Sequence, residues 1–269
     1  MYIAIALHLY TCKLLPSFRE YLQNIPLPYD LFITTTDDGE IVRTTFPDAK
    51  IYPRHVNRGM DIGGFLTVLP DIMSGSYNLV LKLHSKSNPQ WFADLMDPIC
   101  GSVEKVSRCL DHFQDPSVGA VGSQLWLRRD ENDGRGSNTH YISELGREFS
   151  QPLIPYSFIG GTIFWMRVEP LRKVFRKCDL ATLVAKLNTP TSLDWHWYKS
   201  FYPDLQILPT SKKIIQHWNV YGSAEGRASN GLVARSRGLS NICDGMIEHA
   251  YERLFGLLIA NQSLKIIGV

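Results

Sequence analysis

The stretch NLVLKLHSKSNPQW (78–91) sets Lys82, His84 and Lys86 at alternate positions of a predicted buried strand that runs into a loop. Side chains two apart in a strand share a face. Charge is costly to bury, so three potentially cationic groups in line call for an anion opposite them. A phosphate-bearing ligand meets that need: Lys86, with His84, would neutralise a diphosphate in the electrostatic role that a metal ion fills elsewhere. The internal alternative is that Lys82 snorkels or pairs with a carboxylate such as Asp61, and that His84 is a satisfied strand-end histidine.

The elements that must position these groups are legible around them. Short apolar runs at 2–10, 29–36, 48–56 and 77–84 read as strands, and amphipathic stretches at 14–25 and 61–75 as helices. That alternation predicts a parallel sheet covered by helices on both faces. Ligands of open α/β sheets bind at the carboxyl ends of the strands. There the sequence gathers His8 and Tyr10 after strand one, Thr34, Thr35, Thr36, Asp37 and Asp38 after strand two, Asn57, Arg58 and Asp61 after strand three, and His84 and Lys86 after strand four. In NRGMDIGGF (57–65), Asn57 tolerates a left-handed conformation and Gly59 frees the backbone to approach a ligand. The helix start favours phosphate. Asp61 there would repel an anion and more naturally caps the helix or binds sugar or base. A plain capped turn is the alternative, and the absence of GxGxxG gives no ground for a nicotinamide site.

Further along, 91–114 reads as two helices broken near Pro98 and Gly101, and 118–123 as a strand. Residues 128–138 read as a mobile loop, and 156–168 as one long strand interrupted at Gly160-Gly161. A helix is predicted over 168–178, a flexible Gly/Ser/Arg-rich loop over 219–238, and a last helix over 244–259. On that helix Asp244, Glu248 and Glu252 are spaced i, i+4, i+8 beside His249 and Arg253. Surface charge accounts for Glu248 and Glu252, and Glu252 or Arg253 could form a structural salt bridge. Asp244, at the helix start, is either an N-cap or a general base. The aromatic-dense SLDWHWYKSFY (192–202) reads as core, with sugar stacking as the alternative. Asp194 and His196, two apart, would chelate a metal only with further ligands, and none is suggested, so no metal site is expected.

Composition narrows the classes. A chain of 269 residues, 44% hydrophobic and 20% charged, is an ordinary globular chain, read as a single domain over 1–269. A net charge of +2 with no basic run gives no case for nucleic acid. Five scattered cysteines without a CxxC pair speak against a zinc or disulfide framework and for a reducing, cytoplasmic compartment. The start, MYIAIALHLY, reads as a first strand and not a signal peptide. No apolar stretch approaches the roughly 20 residues of a membrane span. The tail LFGLLIANQSLKIIGV reads as a helix end and last strand, with membrane or partner docking as the alternative.

The segments IALHLY, YDLFITT, NRGMDIGGFL, YNLVLKLHSKS, FIGGTIFWMR and DGMIEHAYERLFG, in that order from residue 3 to 257, resemble the rhamnan synthesis protein F family, associated with polysaccharide rhamnosyl transfer. The chain departs from the family pattern at Ser87, where a second Lys is common, and at Glu248, where a small residue is common. The layout also looks like a GT-A nucleotide-sugar glycosyltransferase, with His84-Ser85-Lys86 where such enzymes often carry a metal-holding Asp-x-Asp. The resemblance implies a GT-A-like, Rossmann-like α/β fold with a mostly parallel sheet. Residues 1–125 would form the nucleotide-sugar-binding half and 126–269 the acceptor-side half. It implies transfer of L-rhamnose from dTDP-L-rhamnose to a lipid-linked glycan of a bacterial cell-surface polysaccharide, in the cytoplasm or at the inner membrane face; with His84-Ser85-Lys86 in place of the acidic motif, the protein's own positive charge is expected to replace the metal cofactor. His8, Tyr10, Thr35, Asn57, Arg58, Asp61, Lys82, His84 and Lys86 would hold the donor. Gly160, Gly161 and Trp165, with His249 and Arg253, would line the sugar and acceptor side, and Asp244 would be the base of an inverting displacement. Two other classes are a non-catalytic carbohydrate-binding module of a larger polymerase and a nucleotidyltransferase; the lack of an acidic pair for Mg²⁺ counts against the second.

Overall fold

The computed structural model describes residues 1–129, 135–189, 192–239 and 245–269, with the backbone alone for 135–137. Its strands are β1 (Ile3–Leu9), β2 (Tyr29–Thr35), β3 (Lys50–Pro53), β4 (Leu79–His84), β5 (Val118–Gly122), β6 (Leu127–Arg129), β7 (Ser157–Ile159), β8 (Phe164–Arg167) and β9 (Lys265–Gly268). Its helices are α1 (Leu15–Gln23), α2 (Gly39–Thr45), α3 (Met60–Ser74), α4 (Pro89–Cys100), α5 (Val103–His112), α6 (Arg135–Glu148), α7 (Val168–Phe175), α8 (Leu180–Lys186), α9 (Trp195–Phe201), α10 (Ser211–His217), α11 (Gly231–Ser236) and α12 (Ile247–Asn261).

The central sheet has the order β3-β2-β1-β4-β8-β5-β9. β1, β2, β3 and β4 run parallel, β8 lies antiparallel between β4 and β5, and β9 runs parallel to β5. Every residue of β1 and β4 is buried, as expected of strands covered on both faces. Helices α3, α7, α8 and α12 pack with one another, as do α1, α2, α4 and α5, which gives the sheet its two covering layers. The α/β architecture expected from the alternating pattern is therefore present. The chain reverses its order at β1, with β2 and β3 to one side and β4 to the other. The register there pairs His8 with His84, so both histidines stand at the carboxyl ends flanking the switch point.

Local chemistry starts most helices. Asp38, Asn88, Ser102, Asp179, Asp194 and Asn230 accept hydrogen bonds at the starts of α2, α4, α5, α8, α9 and α11. Phe18 and Leu22 bury one face of α1, worth about 1.5–3 kcal/mol each against exposure. A second, smaller apolar cluster joins Trp197, Tyr198, Leu205, Ile214, Ala228, Ala234 and Met246.

Four expectations are corrected. FIGGTIFW is two strands in two sheets, because the chain turns at Gly161 (φ +89°) and Thr162 (φ +53°). Residues 219–238 include most of a π-helical turn over Trp218–Gly222 and all of α11, so Asn230 there serves as a helix cap and not as loop. Part of the loop expected over 128–138 is helix from Arg135 and strand up to Arg129, with 130–134 outside the described residues. α3 starts at Gly59 in the left-handed region, and Asp61 does not cap it. The tail docks as α12 and β9, with β9 paired to β5. Cys12, Cys100, Cys109 and Cys178 are free thiols.

Candidate functional site

Lys82 and His84 share a face of β4 and converge on one carboxylate. The Lys82 ammonium donates to Asp61 Oδ2 (2.5 Å), Thr162 Oγ1 (3.0 Å) and the Thr162 carbonyl (3.1 Å). Thr162 Oγ1 donates to the same Asp61 oxygen (2.5 Å), and His84 Nε2 lies 3.7 Å from it. His84 Nε2 donates to the Gly161 carbonyl (2.6 Å). Gly161 makes this turn possible: a Cβ there would sit 2.8 Å from Leu95 Cδ1 and 3.0 Å from Trp91 Cζ2. Burial lowers the pKa of Lys82 and holds His84 well below its ordinary range, with Asp61 opposing both shifts. Burial alone would raise Asp61, but His84, Lys82 and Lys86 outweigh it and hold the carboxyl well below the usual range. Two of the three groups in KLHSK are thus spent on an internal network, as the snorkel-or-pair alternative holds. Asp61, expected as a cap or a sugar ligand, is the counter-ion.

The NRGMDIGGF segment builds the floor beside it. His8 Nε2 donates to Asn57 Oδ1 (3.1 Å), which leaves Nδ1 to accept from the Thr34 hydroxyl (2.9 Å). Burial brings the His8 pKa down to about 4, with Asp61 opposing, so the ring is neutral. Gly64 lets α3 approach: a Cβ there would lie 2.6 Å from both His8 Nδ1 and Thr34 Oγ1. The Arg58 guanidinium donates to the carbonyls of Leu187 (2.8 Å) and Ala185 (3.1 Å) at the end of α8. Arg54 in turn donates to the Arg58 carbonyl (2.5 Å). Thr35 is buried and accepts from the Asp37 amide (3.0 Å), Asp37 accepts from the Cys12 amide (2.7 Å), and Asp38 caps α2.

Lys86, half-buried and two residues past the end of β4, stands outside this network. Its ammonium lies 3.7 Å from the centroid of the Trp91 ring, a cation–π contact. Burial lowers its pKa to about 8, against the opposing pull of Asp61 and Glu252. Arg235, on α11, reaches the Ser87 hydroxyl (3.5 Å) and adds a second cation beside Lys86. Tyr10 is exposed, its amide bonded to Ser85 Oγ (2.9 Å). Glu252 accepts from the Gly161 amide, and burial raises its pKa. Trp126 packs against Trp91 (centroids 5.2 Å apart), and both indole N–H groups are enclosed without a hydrogen-bond partner among the described residues.

The remaining expected residues fall elsewhere. Gly160 donates its amide to the Trp126 carbonyl (2.8 Å). Trp165 is fully enclosed and donates to the Ile99 carbonyl (3.3 Å), so it packs beneath the site and does not stack on a sugar. His249 closes the first turn of α12, its Nδ1 accepting from the Met246 amide (3.3 Å). Arg253 is buried, donates to the His249 carbonyl (3.0 Å) and lies over the Phe158 ring. Asp244 lies outside the described residues.

Glu248 and Glu252 are not surface charge. Glu248 accepts from the Asn188 amide (2.7 Å) and side chain (3.2 Å), and burial raises its pKa to about 7. Asn188 also donates to Asp194 Oδ2 (3.0 Å), whose Oδ1 accepts from the Tyr141 hydroxyl (2.7 Å). The Asn188 carbonyl takes the Gly59 amide (2.7 Å), which ties this network to the NRG turn. Glu252, Thr162, Arg235 and the Trp91–Trp126 pair were not read as site residues. The only signals for them were the Gly-Gly break before Thr162 and an acid one helical turn beyond Glu248. Asp194 is committed to its cap and to Tyr141, so it makes no chelating pair with His196. Instead His140, Glu144 and His196 bring ligand atoms within 4.8 Å of one another.

Among the described residues no helix is long and apolar enough to cross a membrane. Comparison with curated proteins gives no match. The rhamnan synthesis protein F family matches residues 1–184, a span that holds β1 to β4, the KLHSK segment and the turn at Thr162 but ends before α12. The likeness in DGMIEHAYERLFG is therefore outside the matched span. With some two thirds of its length matched, and the whole Lys82–Asp61–Thr162 network inside the match, this chain belongs to the rhamnan synthesis protein F family.

Proposed function

We propose that this chain is a glycosyltransferase that moves L-rhamnose from dTDP-L-rhamnose onto a growing, lipid-linked cell-surface glycan, with its own cations in place of a divalent metal at the donor diphosphate. Family membership supports a part in polysaccharide synthesis. The observation that carries the finer reading is the position of Lys86: a cation two residues beyond the end of β4, next to Arg235, while Lys82 is already matched by Asp61. Two unit charges about 4 Å apart at an effective dielectric near 20 attract by about 4 kcal/mol, enough for one lysine to decide diphosphate binding. The layout is like that of GT-A transferases, with His84-Ser85-Lys86 in the place of their acidic metal motif. In this reading the first four strand ends hold the donor, the residues from about 126 onward face the acceptor, and Asp244 takes the acceptor proton in an inverting displacement.

Calorimetric titration with dTDP-L-rhamnose, UDP-GlcNAc and GDP-sugars, with and without EDTA, tests it. The expected result is binding of dTDP-L-rhamnose that survives the chelator and weakens as pH rises past about 8, where Lys86 loses its proton. Lys86→Arg should bind without that decline. Asp244→Asn should keep donor binding while losing about 10²–10⁴ in transfer rate. Binding that needs Mg²⁺ or Mn²⁺ overturns the metal-free reading, and no binding to any donor favours a carbohydrate-binding module.

A further inference from the structure

The contacts between α6 and α9 join the two apolar clusters. α6 places Ile142 and Leu145 in the main core, and α9 places Trp197 and Tyr198 in the smaller one. On the outer side of this junction His140 and Glu144, one helical turn apart on α6, face His196 on α9. His140 Nε2 lies 3.0 Å from Glu144 Oε1, the two imidazole rings meet at a 36° tilt with centroids 3.5 Å apart, and the ligand atoms of all three residues lie within 4.8 Å of one another. We propose that His140, Glu144 and His196 form a binding site for one divalent transition-metal ion of the Zn²⁺ class, which clasps the smaller core to the larger.

Donor type, spacing and support all point this way. Two imidazoles and one carboxylate are a ligand set that zinc takes with one position left for water. At Zn–N distances of 2.0–2.1 Å, two ligand atoms of a tetrahedral ion stand about 3.4 Å apart, so the 3.0 Å pair is already in range and the third atom has roughly 1 Å to travel. Side chains that are about half exposed, as those of His140 and Glu144 are (45% and 47%), can make that adjustment without disturbing the core. The backbone beneath them is fixed. Tyr141, next to His140, donates its hydroxyl to Asp194, and Asp194 caps the helix that carries His196, so a partly buried hydrogen bond holds the two helices together beside the ligands. The function of the clasp follows from size: a small core with few buried apolar residues gains from a staple. The same Asp194 leads through Asn188 to Glu248 on α12 and to the Gly59 amide, a network held by its own hydrogen bonds whether or not the ion is bound.

The test uses the untagged full chain, stripped with chelator and dialysed. Calorimetry with Zn²⁺ and visible absorption with Co²⁺ read occupancy, and a thermal melt with and without Zn²⁺ reads the clasp. One equivalent should bind, with ligand-field absorption from Co²⁺ and a higher Tm in Zn²⁺. His196→Ala and His140→Ala should each lower affinity by at least about 100-fold, the upper end of what loss of an outer-shell partner alone costs, and abolish the Tm gain. Glu144→Gln, which keeps both imidazoles and the side-chain volume, should weaken binding by about tenfold or more while folding normally. His55→Ala, an exposed histidine elsewhere, should change nothing. No saturable binding, or binding of equal strength in the His140, His196 and Glu144 variants, would overturn the proposal.

Discussion

Lys82 shows how one side chain's partners decide its meaning. Read alone, KLHSK is a row of cations awaiting an anion. In the fold, Lys82 has its anion within 2.5 Å, in Asp61, and a hydroxyl and carbonyl from Thr162 complete its shell. Removing one member of a buried pair costs about 3–5 kcal/mol because the other charge is left uncompensated. Lys82→Met should therefore lower the unfolding free energy from denaturant titration by about 3–5 kcal/mol, and Lys82→Met with Asp61→Leu should recover part of the loss. Additive single effects would contradict a coupled pair. The sequence made the pair available as an alternative, since it offered Asp61 as a partner. It could not reveal Thr162, whose hydroxyl arrives only because a β-branched residue sits at φ +53° after a glycine turn. Glu252 was hidden for a related reason: its helical spacing is that of a solvated face, and only the packing of α12 against the 160–162 turn buries it.

At the scale of elements, alternating patterns carry far and break down where the chain turns sharply. The parallel strands β1 to β4 and α3 were legible because each is a short apolar run or an amphipathic stretch with clear ends. β7 and β8 were not separable, since FIGGTIFW is apolar throughout and both halves are extended. The helices α8 to α11 are short, and their Asp, Thr and Asn caps have the composition of loops. Gly64 in α3 carries a tight constraint. Gly64→Ala would drive a methyl onto His8 and Thr34, so we expect a loss of about 1–3 kcal/mol, read as a lower Tm, with weaker donor binding as the floor shifts. Gly39→Ala is the matched control, with no atom within 4 Å of its Cβ, and should be neutral or slightly stabilising. An equal loss in both variants would mean that the cost is not the approach of α3 to β1.

Across the whole molecule, the charge balance is local. A net charge of +2 gives little long-range pull on an anion, so in the proposed reading the donor diphosphate is held by groups placed at the strand ends. Of the cations there, Lys82 is matched by Asp61, His8 is neutral, His84 is bonded to the Gly161 carbonyl, and Arg58 serves the end of α8; Lys86 and Arg235 remain beside the end of β4. The apolar tail, a candidate docking segment in the sequence, is accounted for by α12 and β9. The central claim is that Lys86 does at the diphosphate what a metal does elsewhere, and one measurement bears on it most directly. That measurement is sugar release or transfer from dTDP-L-rhamnose in excess EDTA, by the wild type and by Lys86→Ala, with circular dichroism to confirm that both are folded. The account predicts full wild-type turnover in chelator and a loss of about 10²–10³ in Lys86→Ala, the size expected for removing one preorganised charge from a transition state. Turnover that stops in EDTA and returns with Mg²⁺ or Mn²⁺, or a folded Lys86→Ala that works at the wild-type rate, would contradict it.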